Sequence, residues 1–182
     1  MVSQLKVNEI IKQSGSSITI GETGDTVSGP FTSVPAFHAT KSSSTNISSG
    51  TDTKIDFDTE LFDTDSKYDN STNYRFTPTV AGKYLVYGQV NASNSNGEEY
   101  QYGAILLYKN GSELARNAID PSNNANAKSN QIIQAISMIV DFNTTDYVEM
   151  YVKANVGSGT PSIYGASSAS PTYFGAYKLV GV

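Results

Sequence analysis

From residue 34 onward the sequence consists of short segments in which apolar and polar residues alternate, separated by turns rich in glycine, proline and asparagine. A period of two places successive side chains on opposite faces of an extended strand. In residues 146–154, Val148, Met150 and Val152 share one face, and the residues between them share the other. Many short strands at this spacing are typical of a sandwich or barrel. The sequence therefore predicts an all-β domain over residues 34–182.

One apolar segment, residues 131–140, has the sequence QIIQAISMIV and fits a helical spacing as well as a strand. β-branched residues lose rotamer freedom in a helix and pack well on a pleated sheet. We therefore predict a strand. Its buried face would carry Ile132, Ile136, Met138 and Val140, with Gln134 as the exception.

Turn residues mark the ends of the predicted strands. Asn110 and Gly111 follow the segment 102–108 and suit a type I′ hairpin, in which both central residues need a positive φ. Two stretches rich in glycine, serine, alanine and asparagine, residues 91–98 and 157–171, are predicted to be apical loops. Contacts with a partner are expected in such loops.

The composition indicates a folded chain and excludes several classes of partner. Twelve tyrosines and seven phenylalanines can build a core, whereas only 16% of the residues are charged. A net charge of −5 with no basic cluster argues against nucleic acid. No run approaches the roughly 18 apolar residues of a membrane span, so no membrane insertion is expected. There is no cysteine, which excludes disulfides and thiolate chemistry.

Residues 1–33 differ from the rest and are predicted to form an N-terminal arm. They contain short apolar elements and then a segment rich in glycine and proline with little to bury. A flexible tail is the alternative, but such a tail would not need the isoleucines. We expect synthesis in the cytosol, since no apolar run resembles the core of a signal peptide. The candidate anchors of the arm are Leu5, Val7, Ile10, Ile11, Ile18 and Ile20.

Six short motifs follow one another in domain 34–182. They are PAFHA at 35–39, IDF at 55–57, YRFTPTVAGKY at 74–84, LYKNG at 107–111, TDYV at 145–148 and YFGAY at 173–177. In this order they resemble the motifs of the globular-head family shared by complement and tumour-necrosis-factor-like proteins. The resemblance implies a jelly-roll sandwich of about ten antiparallel strands that forms compact trimers, with aromatic residues near the threefold axis.

Four tyrosines are candidates for the interface of such a trimer. Tyrosine is amphipathic and loses little conformational entropy when it is fixed, which favours it at interfaces and at sugar-stacking sites. Ordinary core or surface positions and stacking on a glycan are the alternatives. The four are Tyr147, Tyr151, Tyr173 and Tyr177, which lie two or four residues apart in two predicted strands.

Residues that could carry out chemistry are few. His38 is the single histidine, and it is expected to be a packed or edge-strand residue rather than part of a catalytic triad. The acidic stretch 52–69 could serve a glycan hydrolase, but Asp56 and Asp58 are expected to face water. A calcium loop is the other alternative, with Lys67 and Tyr68 standing where a ligand and a glycine belong. Its candidate ligands are Asp63, Asp65 and Asp69; no catalytic residue and no cofactor are expected.

The opening residues 5–21 also resemble the N-termini of structural proteins from tailed phages. The leading hypothesis is a non-enzymatic bacteriophage virion protein, released by lysis, whose trimeric knob is a capsid decoration or head fibre. Residues 1–30 would bind other virion proteins of the capsid or tail. The alternatives are the receptor-binding tip of a tail fibre, contacting a cell-surface glycan, and a secreted adhesion module of the same fold.

Overall fold

The structure is a computed structural model, and it describes residue 23 and residues 34–94, 100–123 and 129–180. The six anchor candidates of the predicted arm lie outside these residues. The described part contains no α-helix, only a short 3-10 helix at Pro121–Asn123. No helix in it is long and apolar enough to cross a membrane. The strands are β1 (Ala36–Thr40), β2 (Thr45–Asn46), β3 (Thr53–Lys54), β4 (Thr59–Asp63), β5 (Tyr68–Asp69), β6 (Arg75–Phe76), β7 (Gly82–Asn94), β8 (Tyr100–Lys109), β9 (Ser112–Ile119), β10 (Gln131–Phe142), β11 (Val148–Val156), β12 (Pro161–Ile163) and β13 (Tyr173–Lys178).

Two antiparallel sheets face each other, as the predicted jelly roll requires. Sheet A runs β10–β7–β13–β1–β4, and β12 and β2 continue it beyond the end of β13. Sheet B runs β5–β6–β11–β8–β9, with β3 also paired to β11. The all-β jelly-roll fold is thus confirmed, with short two-residue strands in addition to the longer ones.

Aromatic side chains from both sheets form the centre of the core. The ring of Phe37 in β1 stacks on Tyr68 and on Phe76, each at 4.6 Å between centroids. Phe174 in β13 meets the same ring edge-on at 5.0 Å. Since β1 and β13 belong to sheet A and Tyr68 and Phe76 to sheet B, this cluster joins the two sheets. The Tyr68 hydroxyl donates to the carbonyl of Phe57 at 3.0 Å, so its polar atom is satisfied inside the core.

The ambiguous segment is a strand, β10, paired with β7 along its whole length. Ile132 and Val140 are buried, and Ile136 and Met138 are packed against the core, as predicted. The hairpin prediction is also confirmed. Asn110 and Gly111 have φ values of 53° and 77°, and Lys109 pairs with Ser112 across the turn.

The predicted apical loops are shorter than expected. Residues 91–94 belong to β7 rather than to a loop, while residues 95–99 lie outside the described part of the chain. Within 157–171, the three residues of β12 pair with the end of β7. Long-range pairing, of residues 91–93 with β10 and of β12 with β7, has overridden the low strand propensity of serine and asparagine.

Candidate interaction surface

The face of sheet A that points away from the core, its outer face, carries a cluster of aromatic side chains. Along β1, Phe37 and Ala39 are fully buried in the core, so His38 between them lies on the outer face. β1 is flanked by β13 and by β4, which makes His38 a residue of an inner strand and not of an edge strand. The same alternation along β7 and β13 places three tyrosines on this face, Tyr87, Tyr173 and Tyr177.

Strand register arranges one row of residues straight across sheet A. Residues opposite each other on neighbouring strands point to the same face and are close enough to touch. The row consists of Phe62, His38, Gly175, Tyr87 and Ser137, one from each of five strands in the order β4, β1, β13, β7 and β10.

Gly175, the glycine of this row, lets the ring of Tyr87 lie across β13. A Cβ atom at Gly175 would stand 2.4 Å from both Cζ and the hydroxyl oxygen of Tyr87. With glycine there, the Tyr87 ring reaches over the strand, and its hydroxyl lies 3.0 Å from Nδ1 of His38. The hydrogen bond joins a phenol to an imidazole, with no carboxylate or serine in the pair. It therefore fixes the two rings and does not provide an activated nucleophile.

We call Phe62, His38, Tyr87, Tyr173 and Tyr177 the aromatic patch. His38 stacks on Tyr173 at 5.5 Å and on Phe62 at 6.1 Å between ring centroids. Tyr87 contacts Tyr173 and Tyr177 at 6.4 and 6.5 Å. Phe62 and Tyr177 remain 49% and 43% exposed. Large aromatic rings held at this exposure on one face are typical of a binding surface.

Aliphatic side chains extend the patch toward β10. Leu85 pairs with Tyr177 on one side and with Ile139 on the other. Ile139 is 58% exposed. A cleft of about 270 Å³ lies between the rings of Tyr87 and Tyr173 and strand β10. At this point the outer face of β10 carries only the small residues Ala135 and Ser137. Its lining consists of Tyr87, Tyr173, Gly88, Ala135, Ile136 and Ser137.

The patch is electrically neutral around its histidine. Burial lowers the pKa of His38, because the imidazolium would lose hydration in this setting. Burial, followed by the neighbouring Tyr173 and Tyr177, raises the pKa of Tyr87. The three central rows of the face contain no acidic side chain and no basic one other than His38. The first row is the one that contains His38 and Tyr87. The second consists of Ala36, Tyr177, Leu85 and Ile139, and the third of Thr40, Tyr173, Gln89 and Ala135.

The four tyrosines predicted for an interface lie on two different sheets. Tyr173 and Tyr177 belong to the aromatic patch, whereas Tyr147 precedes β11 and Tyr151 lies within it, in sheet B. Tyr151 stacks on Tyr108 at 4.1 Å, and the guanidinium of Arg75 lies 4.4 Å from the Tyr147 ring. The structure therefore does not bring the four together.

The outer face of sheet B differs in chemistry from that of sheet A. The Tyr108 hydroxyl donates to Asp52 at 2.9 Å, and Lys153 forms an ion pair with the same carboxylate at 3.2 Å. Lys54 and Glu149 pair at 2.5 Å. These tyrosines and charges therefore satisfy one another within one chain.

Two of the three calcium candidates, Asp63 and Asp69, use their carboxylates to stabilise turns. Asp63 accepts hydrogen bonds from the backbone N–H groups of Asp65, Lys67 and Tyr68. Asp69 accepts from the N–H groups of three residues that follow it, and these hydrogen bonds lower its pKa. Oxygens that face N–H donors are poorly placed as calcium ligands. Within the described ranges, no three histidine or acidic side chains form a group that could hold a metal ion.

The expectation that Asp56 and Asp58 simply face water is wrong. Asp56 pairs with the ammonium of Lys41 at 2.5 Å, and the Lys41 side chain has no exposed surface. Asp58 accepts hydrogen bonds from the N–H and the hydroxyl of Ser42. Between residues 53 and 58 only β3 is a strand, and Ile55 and Phe57 beyond it are fully buried. The partners of these two carboxylates, Lys41 and Ser42, directly follow β1. Alternation within the segment 53–58 cannot reveal a contact with another part of the chain.

The sequence interpretation missed Phe62, Tyr87 and Gly175 as members of the site. Tyr87 was detectable in principle, because local alternation separates it from the buried Tyr84, Val86 and Val90. Gly175 lies in the motif 173–177, and a glycine within a strand often signals the close approach of another group. Phe62 gave no signal, since β4 is exposed along most of its length.

Solved structures with similar folds belong to the family that the motifs resemble. The tumour necrosis factor Eiger from S. frugiperda aligns at a TM-score of 0.54 and 14% identity, covering 82% of this chain and 93% of that one. Murine APRIL at pH 8.0 aligns at 0.55 and 13%, covering 80% and 99%. The globular domain of zebrafish complement 1qA aligns at 0.49 and 13%, covering 79% and 93%. Eiger and APRIL share this jelly-roll fold, and at such identities the likeness concerns the fold alone.

No family model matches the sequence. No curated protein matches it either.

Proposed function

We propose that this chain is a non-enzymatic assembly domain that forms a homotrimer through the outer face of sheet A. The observation that carries the proposal is the aromatic patch with its neighbouring Leu85 and Ile139. Burying apolar surface contributes roughly 25 cal/mol per Å², and a contiguous apolar face on a rigid sheet allows many such contacts at once. The three central rows of the face contain no acidic side chain, so a chain of net charge −5 can approach another copy there without direct repulsion.

We infer three copies, rather than two, from the family resemblance, because the jelly rolls of that family form compact trimers with aromatic residues near the axis. His38, Tyr87 and Tyr173 lie at the middle of sheet A, which suits aromatic residues near a threefold axis. Tyr173 and Tyr177 are then interface residues, as predicted, while Tyr147 and Tyr151 remain on the surface of sheet B.

A pair of matched substitutions tests this assignment. Tyr177→Glu places a charge in the patch, and Val80→Glu places one at a site of equal exposure outside it, 44% against 43%. We expect Val80→Glu to keep the trimeric mass in light scattering and Tyr177→Glu to reduce it to the monomer, both with an unchanged far-UV circular dichroism spectrum. A trimer that tolerates both changes would place the interface elsewhere.

The finer part of the proposal is that the trimer is a knob on a phage particle, as a capsid decoration or head fibre, attached by residues 1–30. It is supported by the sequence of that segment, by its resemblance to phage structural proteins and by the size of the remaining domain, which suits a knob and not a long shaft. Deleting residues 1–30 should leave a folded trimer that no longer binds particles in a sedimentation assay. Full attachment of the shortened protein would overturn the anchoring role.

A further inference from the structure

An exposed ring and an open cleft lie at opposite ends of the same row on sheet A. Phe62 stands at the β4 edge and is 49% exposed. The cleft lies between the rings of Tyr87 and Tyr173 and the β10 edge, and Ser137 on its far side is four strand spacings from Phe62, about 19 Å at about 4.8 Å per spacing. Neither feature can fill the other within one chain.

The cleft matches the ring in size and chemistry. Its volume is about 270 Å³, and an apolar cavity of about 150 Å³ is large enough to bind benzene. Two tyrosine rings form one wall, and the backbone and small side chains of β10 form the other. Aromatic rings pack favourably against such walls in offset or edge-on contact.

Separate positions for the ring and the cleft favour a heterologous contact. When a surface binds a different surface on an identical neighbour, the contacts can close into a ring if the rotation allows it. Three copies could each insert Phe62 into the cleft of the next, and the neutral rows between the two features would meet around the axis.

We propose that Phe62 of each copy seats in the cleft formed by Tyr87, Tyr173, Ala135 and Ser137 of the next copy. This inference rests on the proposed trimer and adds to it a direction and a specific contact. The occupant is a second copy of this chain, because the ring and the cleft are both neutral and apolar and lie on one face.

Engineered cysteines test the contact directly, because the natural chain has no cysteine. The double variant Phe62→Cys with Ser137→Cys cannot form a disulfide within one chain, since Cα atoms more than about 7 Å apart cannot be bridged. Mild oxidation with copper–phenanthroline should link each copy to the next and give a covalent trimer on a non-reducing gel. The matched control, Val80→Cys with Ser137→Cys, should stay at the monomer band.

The outcomes separate this inference from the trimer itself, provided light scattering is run on the same reduced samples. A trimeric mass with cross-linking no greater than in the control overturns the Phe62 contact and leaves the trimer standing. A monomeric mass for the unmodified protein overturns the trimer. Cross-linked dimers with no trimer overturn the ring in favour of a twofold contact.

A second pair keeps the test decisive if the first double variant does not fold, as judged by circular dichroism. Phe62→Cys with Ala135→Cys probes the same cleft from the adjacent row. Covalent trimers from this pair support the contact, and their absence in a folded trimer overturns it.

Mixing the two single variants, Phe62→Cys and Ser137→Cys, should give covalent products that neither single variant gives alone.

Discussion

Nδ1 of His38 and the hydroxyl oxygen of Tyr87 lie 3.0 Å apart, across a strand whose intervening residue is Gly175. The two residues are 49 positions apart in sequence and are joined only because β1, β13 and β7 are neighbours in sheet A. This contact holds two rings of the aromatic patch in place, and three of the predictions below concern that face.

Gly175→Ala should remove the contact. Its Cβ would stand 2.4 Å from the Tyr87 ring and 2.9 Å from the carbonyl oxygen of Phe37, so the ring or the strand must move. Overpacking of this kind costs about 1 to 3 kcal/mol. We expect a loss of that size in the free energy of unfolding, measured in urea at one fixed protein concentration. Gly157→Ala is the control, because its Cβ would meet only the end of the flexible Gln101 side chain. Equal stabilities for the two variants would contradict the account.

Protonation of His38 should destabilise the fold. Burial lowers its pKa in the folded state, so below the ordinary value of about 6.5 the unfolded chain binds more protons than the folded one. The free energy of unfolding should therefore fall as the pH decreases from about 6.5 toward the lowered folded pKa, by at most about 1.4 kcal/mol per pH unit.

The measurement is a set of urea denaturation curves between pH 7.5 and pH 5.5. Since His38 is the single histidine, His38→Gln should flatten the dependence in this window. A slope of the same size in the variant would assign the effect to another group.

The ion pair of Lys41 and Asp56 should matter more than an exposed one. Asp56→Asn removes the carboxylate paired with the fully buried Lys41 ammonium and leaves Asp58 as the remaining acidic neighbour. Breaking a fully buried pair costs about 3 to 5 kcal/mol, and the partly exposed carboxylate here reduces the expected loss to about 2 to 3 kcal/mol.

Asp141→Asn is the matched control, because it breaks the pair with Lys83, in which both side chains are well exposed. That change should cost less than about 1 kcal/mol. Thermal or urea unfolding of the two variants gives the comparison, and an equal or larger loss for Asp141→Asn would show that the burial of Lys41 has no energetic consequence.

Calcium should leave the stability of the protein unchanged. Asp63 and Asp69 already accept backbone hydrogen bonds, so binding an ion would require these turns to open. A ligand present at a hundred times its dissociation constant stabilises the folded state by about 2.7 kcal/mol. Melting curves with millimolar calcium and with a chelator should therefore coincide. A clear rise of the melting temperature in calcium would restore the metal site.

Local patterns in the sequence predicted the parts of the fold that depend on neighbouring residues. The alternation in β11 and the β-branched residues of β10 identified both strands, and the pair Asn110 and Gly111 identified the hairpin that β8 forms with β9. β4 was missed, and the extent of β9 was not predicted, because both are exposed along most of their length and show no alternation. The acidic residues around β4 were instead interpreted as solvated or metal-binding.

The composition of the site was harder to predict than the fold. Spacing within a strand tells which tyrosines share a face, but not to which sheet that strand belongs. Tyr151 and Tyr177 look alike in sequence, yet β11 pairs in sheet B and β13 in sheet A. Membership of the aromatic patch depends on long-range pairing between strands, and that information is absent from the segments themselves.

The mass of the unmodified protein in solution gives the clearest test of self-association through the outer face of sheet A. Light scattering behind size exclusion, over a range of loading concentrations, measures this mass without any substitution. We expect three times the chain mass of 19.5 kDa. A single chain mass at every concentration would contradict it, and the aromatic patch would then have to serve a different partner.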